Sequence, residues 1–361
     1  PEKTKQQRID QGLMLCESCG HVQLLYEVDQ TFLYGVDYSN RSSQCHGTSG
    51  AKAFFVDFLE KITGKHKFKR IIEIGCNDLY LLKTLKNNAE ALVGIDPIWR
   101  ESAFEKLENI TVVGKFIEEI NSSDELEGKP DLIISSHNLE HINSPVSVLV
   151  KMMELAEDNA VFIIEVPSFD HLVLNARFDQ VFHQHIQYFS LNSFSNLIEK
   201  IDAEYIDHTY NHSDWGGTLI VAFRKNKKGR ADNNSPKGIS RLTQEQITNQ
   251  FLSFKKQMKM LQEVISHTSK PIYGYGAGQM VPTLAYHLNS DLSFLNCIFD
   301  DNSERAGLGY PGLAPKIRKP AITEPLEDAS ILITSIDAVR PIMKNLIKRN
   351  SRNIIVPLSH F

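Results

Sequence analysis

Apolar residues recur with two periods along the chain, and the switches between them predict its elements. GAKAFFVDFLEKIT (Gly50–Thr63) has helical spacing, and RIIEIGCNDLYLLKTL (Arg70–Leu85) reads as strand, tight turn and helix. ALVGIDP (Ala91–Pro97) is a second strand, ending in an acid. PDLIISSHNLEHI (Pro130–Ile142) is a third with a polar end, NAVFIIEVPS (Asn159–Ser168) a fourth, and WGGTLIVAFRK (Trp215–Lys225) a late strand. The polar stretch KNKKGRADNNSPKG follows and reads as a linker. Between Ser240 and His267, Leu242, Ile247, Phe251, Phe254, Met258, Leu261 and Ile265 return to helical spacing. A second strand–turn–helix opens at PIYGYGAGQMVPTLAYHL (Pro271–Leu288), with further strands in CIFDDN, ASILITS and NIIVPL. Alternating strands and helices predict an α/β fold: a doubly wound parallel sheet, then a second, smaller Rossmann-like domain. The expected division is an N-terminal piece 1–48, a central domain 49–230, a linker and helix 231–268, and a C-terminal domain 269–361.

Composition narrows the function classes. A chain of 361 residues, 42% hydrophobic and 23% charged, is an ordinary globular composition for roughly two or three domains. A net charge of −5 argues against nucleic acid as a partner, and the short basic runs KHKFKR and RKNKKGR read as solvated edges. No apolar run has the length of a membrane span, and no secretory h-region stands near Pro1. Five scattered cysteines do not form a disulfide framework. A cytoplasmic monomer or homodimer, with no membrane or nucleic-acid partner, is the expectation.

Three stretches carry candidate chemistry. LCESCGHVQL offers Cys16 and Cys19 as half of a zinc site; adjacent Cys45 and His46 are poorly placed to complete it, so a second pair lies upstream or the site is a relic. In EIGCND, Gly75 ends a strand at a turn where a ligand can approach the backbone, and Asp96 ends the next strand, placed for ribose hydroxyls. The glycines are too sparse for a pyrophosphate cradle, which favours S-adenosylmethionine over a dinucleotide. The expected cofactor contacts are Glu73, Gly75, Cys76, Asn77, Asp96, Pro97, Ser136 and His137. The second glycine-rich turn, GYGAGQM, is closer to GxGxxG but lacks the last glycine. With Asp300 and Asp301 after it, it is either a nucleotide subsite or a tight strand–helix turn.

The histidines leave their roles open. His141 follows a strand end, as a proton-transfer group or a helix cap. His183 and His185 in FDQVFHQHIQYFS would share one face of an extended segment, as metal ligands, an acid–base pair or a structural pair.

The order CxxCG-x-VQL, EIGCND, His-x-His-x-x-Tyr-Phe-Ser, WGGTL, GYGAG and FDDN resembles the sugar C-methyltransferase family across nearly the whole chain. The resemblance implies a class I S-adenosylmethionine-dependent methyltransferase domain, an N-terminal zinc-binding-type piece and a C-terminal Rossmann-like domain that helps hold a nucleotide-linked sugar. It implies proton removal beside a ketone and attack of the enolate on the methyl group. It places the base at His185 and helpers at His141, His183, Gln184 and Tyr38. Acceptor contacts fall on Tyr188, Trp215, Gly216, Gly274, Gly276, Asp300 and Asp301. Departures include Phe182 and Gln184 where the family has Tyr and Glu, and Leu79 where it has Gly beside the cofactor. These departures keep O- or N-methyl transfer, or sugar-nucleotide binding without catalysis, as alternatives.

Overall fold

The computed structural model describes residues 11–29, 33, 41, 43, 48–64, 67–102, 106–226, 236, 240–321 and 326–358. Its strands in chain order are β1 (Leu13–Leu15), β2 (Val22–Leu24), β3 (Phe68–Ile74), β4 (Ala89–Ile95), β5 (Lys106–Leu107), β6 (Ile110–Val113), β7 (Leu132–Ser136) and β8 (Val161–Pro167). They continue as β9 (Gln187–Tyr188), β10 (Ala203–Asn211), β11 (Thr218–Lys225), β12 (Ile272–Tyr275), β13 (Leu295–Phe299), β14 (Ile317–Arg318), β15 (Ser330–Ile333) and β16 (Asn353–Ile355).

The largest sheet has the order β10-β11-β8-β7-β3-β4-β6-β5. Its centre, β8 to β6, is parallel, while β10, β11 and β5 add antiparallel edges. A parallel sheet covered on both faces needs strands apolar on both faces, which is why RIIEI and LII carry no alternation. Ile72, Val93, Ile133, Phe162 and Leu219 pack on one side with helices Pro145–Leu155 and Leu191–Lys200. Ile71, Leu92, Leu132, Ile163 and Ile220 pack on the other with helix Thr48–Thr63. The pattern alone did not reveal β6 or β10: β6 is only four residues, and β10 carries Glu204, Asp207 and His208 on a half-buried edge.

The chain divides into two compact units: Gly12–Asp170 with His183–Thr243, and His171–Phe182 with Gln244–Phe361. This differs from the expected boundaries in three places. The hairpin β1–β2 is not separate, because β2 pairs with β9 inside the central unit. Helix Gln244–Ser266 belongs with the C-terminal sheet rather than to a linker. Residues 171–182 leave the central unit: Phe178 packs on Phe251 and Phe254, and Arg177, 1% exposed, is bidentate on Asp179 at 2.8 and 2.9 Å and reaches Asp337 at 2.8 Å. The C-terminal unit itself is a parallel five-stranded sheet, β14-β13-β12-β15-β16, as the second strand–turn–helix pattern anticipated.

In the large sheet, β4 lies on one side of β3 and β7 on the other. Successive connections therefore part in opposite directions at the carboxyl end of β3 and open a crevice there. Glu73 is buried beside this point, 3% exposed, and its Oε2 has no hydrogen-bond partner among the described residues. Burial pushes its carboxyl up to about 8, against the pull of Lys52.

Two outcomes follow. Arg177→Ala leaves the buried Asp179 carboxylate and the more exposed Asp337 without their cation and lowers unfolding free energy by about 3–5 kcal/mol in urea titrations; a loss under about 1 kcal/mol would refute the ion cluster as an anchor. Glu73 binds its proton more tightly folded than unfolded, so its stabilisation is complete below about pH 4.5 and disappears as pH rises through about 8. Relative to Glu73→Gln, the native protein should lose stability over that window at up to about 1.4 kcal/mol per pH unit; a pH-independent difference contradicts a protonated Glu73.

Candidate active site

The crevice at the ends of β3, β4 and β7 is a cleft walled by Gly75, Asn77, Asp96, Pro97 and Ile98 on one side and by His137, Asn138, His141 and Ile142 on the other. Gly75 adopts φ +75°, and a Cβ there would meet Asn138 Cγ at 2.5 Å, so only glycine lets the β7 loop close over the turn. The Asp96 carboxylate accepts from Asn77 N at 2.9 Å and Ile98 N at 3.0 Å, which fixes it at the cleft floor; burial pushes its pKa up. Asn77 is held in turn by Trp99, whose indole donates to Asn77 O. Backbone amides and a strand-end acid around a glycine turn suit a nucleoside group.

Not every expected cofactor residue lines this cleft. Cys76 and Leu79 are in the core with Leu81 and Leu82, and a Cβ on Gly94 would strike Cys76 Sγ at 2.6 Å. Leu79 takes the left-handed φ of +65° that a glycine would take without strain, yet its side chain is fully buried in that core and does not enter the cleft. Glu73 and Ser136 lie behind the wall. Ser136 Oγ donates to Glu165 Oε2 at 2.7 Å and accepts from Lys52 Nζ at 2.7 Å, while Thr218 donates to Glu165 Oε1 at 2.9 Å.

Past β7, a cluster of histidines and acids borders the cleft. His137 sits in a left-handed conformation at φ 52°, with Nδ1 3.6 Å from Glu140 Oε1 and Nε2 3.5 Å from Asp214 Oδ2. Burial opposes its charge, but Asp214, Glu140 and Glu165 outweigh burial and raise its pKa to about 10. His141 Nδ1 lies 2.7 Å from Gln184 O, and its Nε2 is 3.7 Å from Glu140 Oε1. Glu140 is 1% exposed; burial works against its ionisation, yet His141 and His137 hold its carboxyl well below the usual range. His185, 4% exposed, has its pKa lowered to about 3 by burial and by His141. It is a neutral ring behind His141, not the accessible base that the resemblance implies. Its ring lies 5.0 Å from that of His141 and 5.8 Å from that of Trp215.

The segment around His185 is not the extended run expected: a turn falls at His183 and Gln184, so the two histidines do not share a face. Only His185 joins the cluster; His183 is half-buried outside it. Gln184 contributes its backbone carbonyl to His141. Tyr188 is buried on β9 against Phe169 and His185. Trp215 and Gly216, at φ 49° and 71°, form a tight turn after Asp214 that sets the indole 5.9 Å from the His137 ring. Tyr38 lies outside the described residues.

Cys16 and Cys19 occupy the turn between β1 and β2, whose carbonyls are capped by Arg241, Asn192 and Asn196. Hydrogen bonds from Cys19 and Ser18 lower the Cys16 thiol to about 7. No further metal ligand stands by these two thiols among the described residues. In the C-terminal unit the glycines have packing reasons: a Cβ on Gly276 would meet Ser335 Cβ at 2.4 Å, and one on Gly274 would meet Ile298 at 3.0 Å. Asp300 accepts from Ala277 N and Asn302 N, and Asp301 from Tyr275 and Asn345, so Asp300 braces the glycine turn and Asp301 ties its loop to β12 and to the helix Val339–Lys348.

Glu140, Glu165, Asp214 and Lys52 were not singled out from sequence. Glu165 alone had a local signal, as an acid inside the apolar strand FIIEVP; Lys52 reads as a helix-surface residue until Ser136 meets it.

C-methyltransferase NovU of Streptomyces niveus is 24% identical over 212 residues, 58% of this chain and 50% of that protein, so the chain spans about half of this relative. Among solved structures, N-methyltransferase NodS from Bradyrhizobium japonicum WM9 is similar at 12% identity and a TM-score of 0.38, over 49% of this chain and 97% of NodS. An S-adenosylmethionine-dependent methyltransferase from Clostridium acetobutylicum ATCC 824 is similar at 10% identity and a TM-score of 0.38, over 49% and 92%. Residues 49–208, which hold the cleft, Glu140, His141 and His185, match the family model described as a methyltransferase domain.

Proposed function

We propose that this chain transfers a methyl group from S-adenosylmethionine to a carbon beside a ketone in a nucleotide-linked sugar. The observation that carries the reading is the shared cleft: the Gly75–Asp96 floor and the His137–His141 wall face one space within the stretch that matches the methyltransferase-domain model. The similarity to NovU supports carbon as the acceptor atom. S-adenosylmethionine is the methyl donor; bound, it supplies an electrophilic methyl on a sulfonium.

The chain's own residues do the rest. Asp96 and the amides beside it hold the nucleoside end. A carbon beside a ketone gives up a proton only if the enolate oxygen is stabilised. His137, kept cationic by Asp214 and Glu140, lines the cleft and supplies positive charge near that oxygen. The proton leaves toward the His141 edge of the cleft, where the buried Glu140 carboxylate favours positive charge. His185 and Trp215 back this edge and limit water there.

Isothermal titration with S-adenosylhomocysteine should show micromolar binding that Asp96→Asn weakens roughly tenfold or more, since hydrogen bonds to a charged group are lost. No binding by folded protein overturns the reading. In deuterated water without methyl donor, a nucleotide-linked ketosugar should exchange its α-proton. His141→Ala should slow exchange by roughly 10²–10⁴-fold while binding S-adenosylhomocysteine normally. Methylation of a hydroxyl or amine without any carbon exchange would instead assign O- or N-transfer.

A further inference from the structure

We propose that Glu140, His141 and His185 form a binding site for one divalent transition-metal ion at the inner wall of the cleft. Their donor atoms lie within 4.8 Å of one another. Glu140 is 1% exposed, and among the described residues neither carboxylate oxygen has a hydrogen-bond partner. A buried carboxylate without donors is costly unless a cation stands beside it. His137 approaches one oxygen at 3.6 Å, but its other nitrogen is directed to Asp214, which leaves Glu140 only partly neutralised.

The imidazole of His141 is oriented for ligation. A backbone carbonyl only accepts, so the 2.7 Å contact to Gln184 O puts a proton on Nδ1 and makes Nε2 the atom that faces Glu140. Metal-binding histidines are commonly fixed in this way, with the distal N–H on a carbonyl. The 3.7 Å from His141 Nε2 to Glu140 Oε1 is too long for a hydrogen bond. It is close to the roughly 3–3.6 Å between two donors that each stand about 2.0–2.2 Å from one ion.

The third ligand is held by the backbone: Ile186 N donates to Glu140 O at 2.9 Å, fixing His185 beside the Glu140 turn. Two imidazoles and a carboxylate select zinc, iron, cobalt or nickel over magnesium or calcium. Three protein ligands leave a position open toward the cleft, which His141 borders. Water bound there would lose a proton to solvent, and the hydroxide left on the ion would take the acceptor's proton. This role rests on the methyl-transfer reading; the binding itself does not.

The test uses the full chain carrying Cys16→Ser and Cys19→Ser, so that the hairpin thiols cannot contribute, after dialysis against a chelator. Titration with Co²⁺ should give one equivalent of a visible d–d spectrum without thiolate bands and a rise in melting midpoint. Glu140→Gln and His185→Ala should each weaken Co²⁺ binding by more than roughly a hundredfold, since even outer partners of a metal site contribute 10–100-fold. Two outcomes overturn the proposal: no Co²⁺ binding by the parent, which leaves the cluster bridged by protons, or equal binding by both variants, which puts the ion elsewhere. S-adenosylhomocysteine titrations on the same samples report folding and test the methyltransferase reading separately.

Discussion

The backbone of Ile186 is pinned from both sides: its carbonyl accepts from Leu24 N on β2, and its amide donates to the carbonyl of Glu140. A buried peptide group must find such partners, and these two lock together three segments that are distant in sequence. The N-terminal hairpin thereby becomes a brace for the segment that carries His185. His21 reinforces it through Gln187, whose amide in turn reaches the carbonyls of Ile142 and Asn143. The hairpin thus braces segments beside the cleft, and none of its described residues lines it.

Behind the cleft, polar groups are buried because they satisfy one another. Glu165 would be a costly intrusion in an apolar strand, but Ser136 and Thr218 donate to its two oxygens and Lys52 continues the chain. Fully connected networks of this kind are rigid, and rigidity is what a methyl-transfer site needs when its main task is placement. Glu140 and Glu73 are the exceptions. Among the described residues neither oxygen of Glu140 nor Oε2 of Glu73 finds a hydrogen bond, and histidines rather than hydroxyls surround Glu140.

The fold was legible wherever the reason for an element was local. RIIEIG ends a strand in a glycine because the turn needs φ +75°, and that requirement is written at one position. The helix Gln244–Ser266 showed its period along its own length, but which unit it joins depends on Phe178 and the Arg177 ion cluster, neither of which its pattern contains. The strand β10 was hidden because edge strands tolerate charge on both faces. The histidine pair misled for a related reason: alternation assumes an extended backbone, and a turn at His183 breaks it.

By itself, then, the sequence determined the alternation of strands and helices, the glycine turn and the acid of Asp96, because spacing and backbone restriction act over a few neighbouring residues. Only the tertiary structure decided that His185 is buried and neutral, that Leu79 turns into the core and away from the cleft, and that Glu140 meets three histidines. Those outcomes depend on which strands lie side by side and on how little water reaches between them. Burial and charge at such a point are sums over segments far apart in the chain, and no local pattern encodes them.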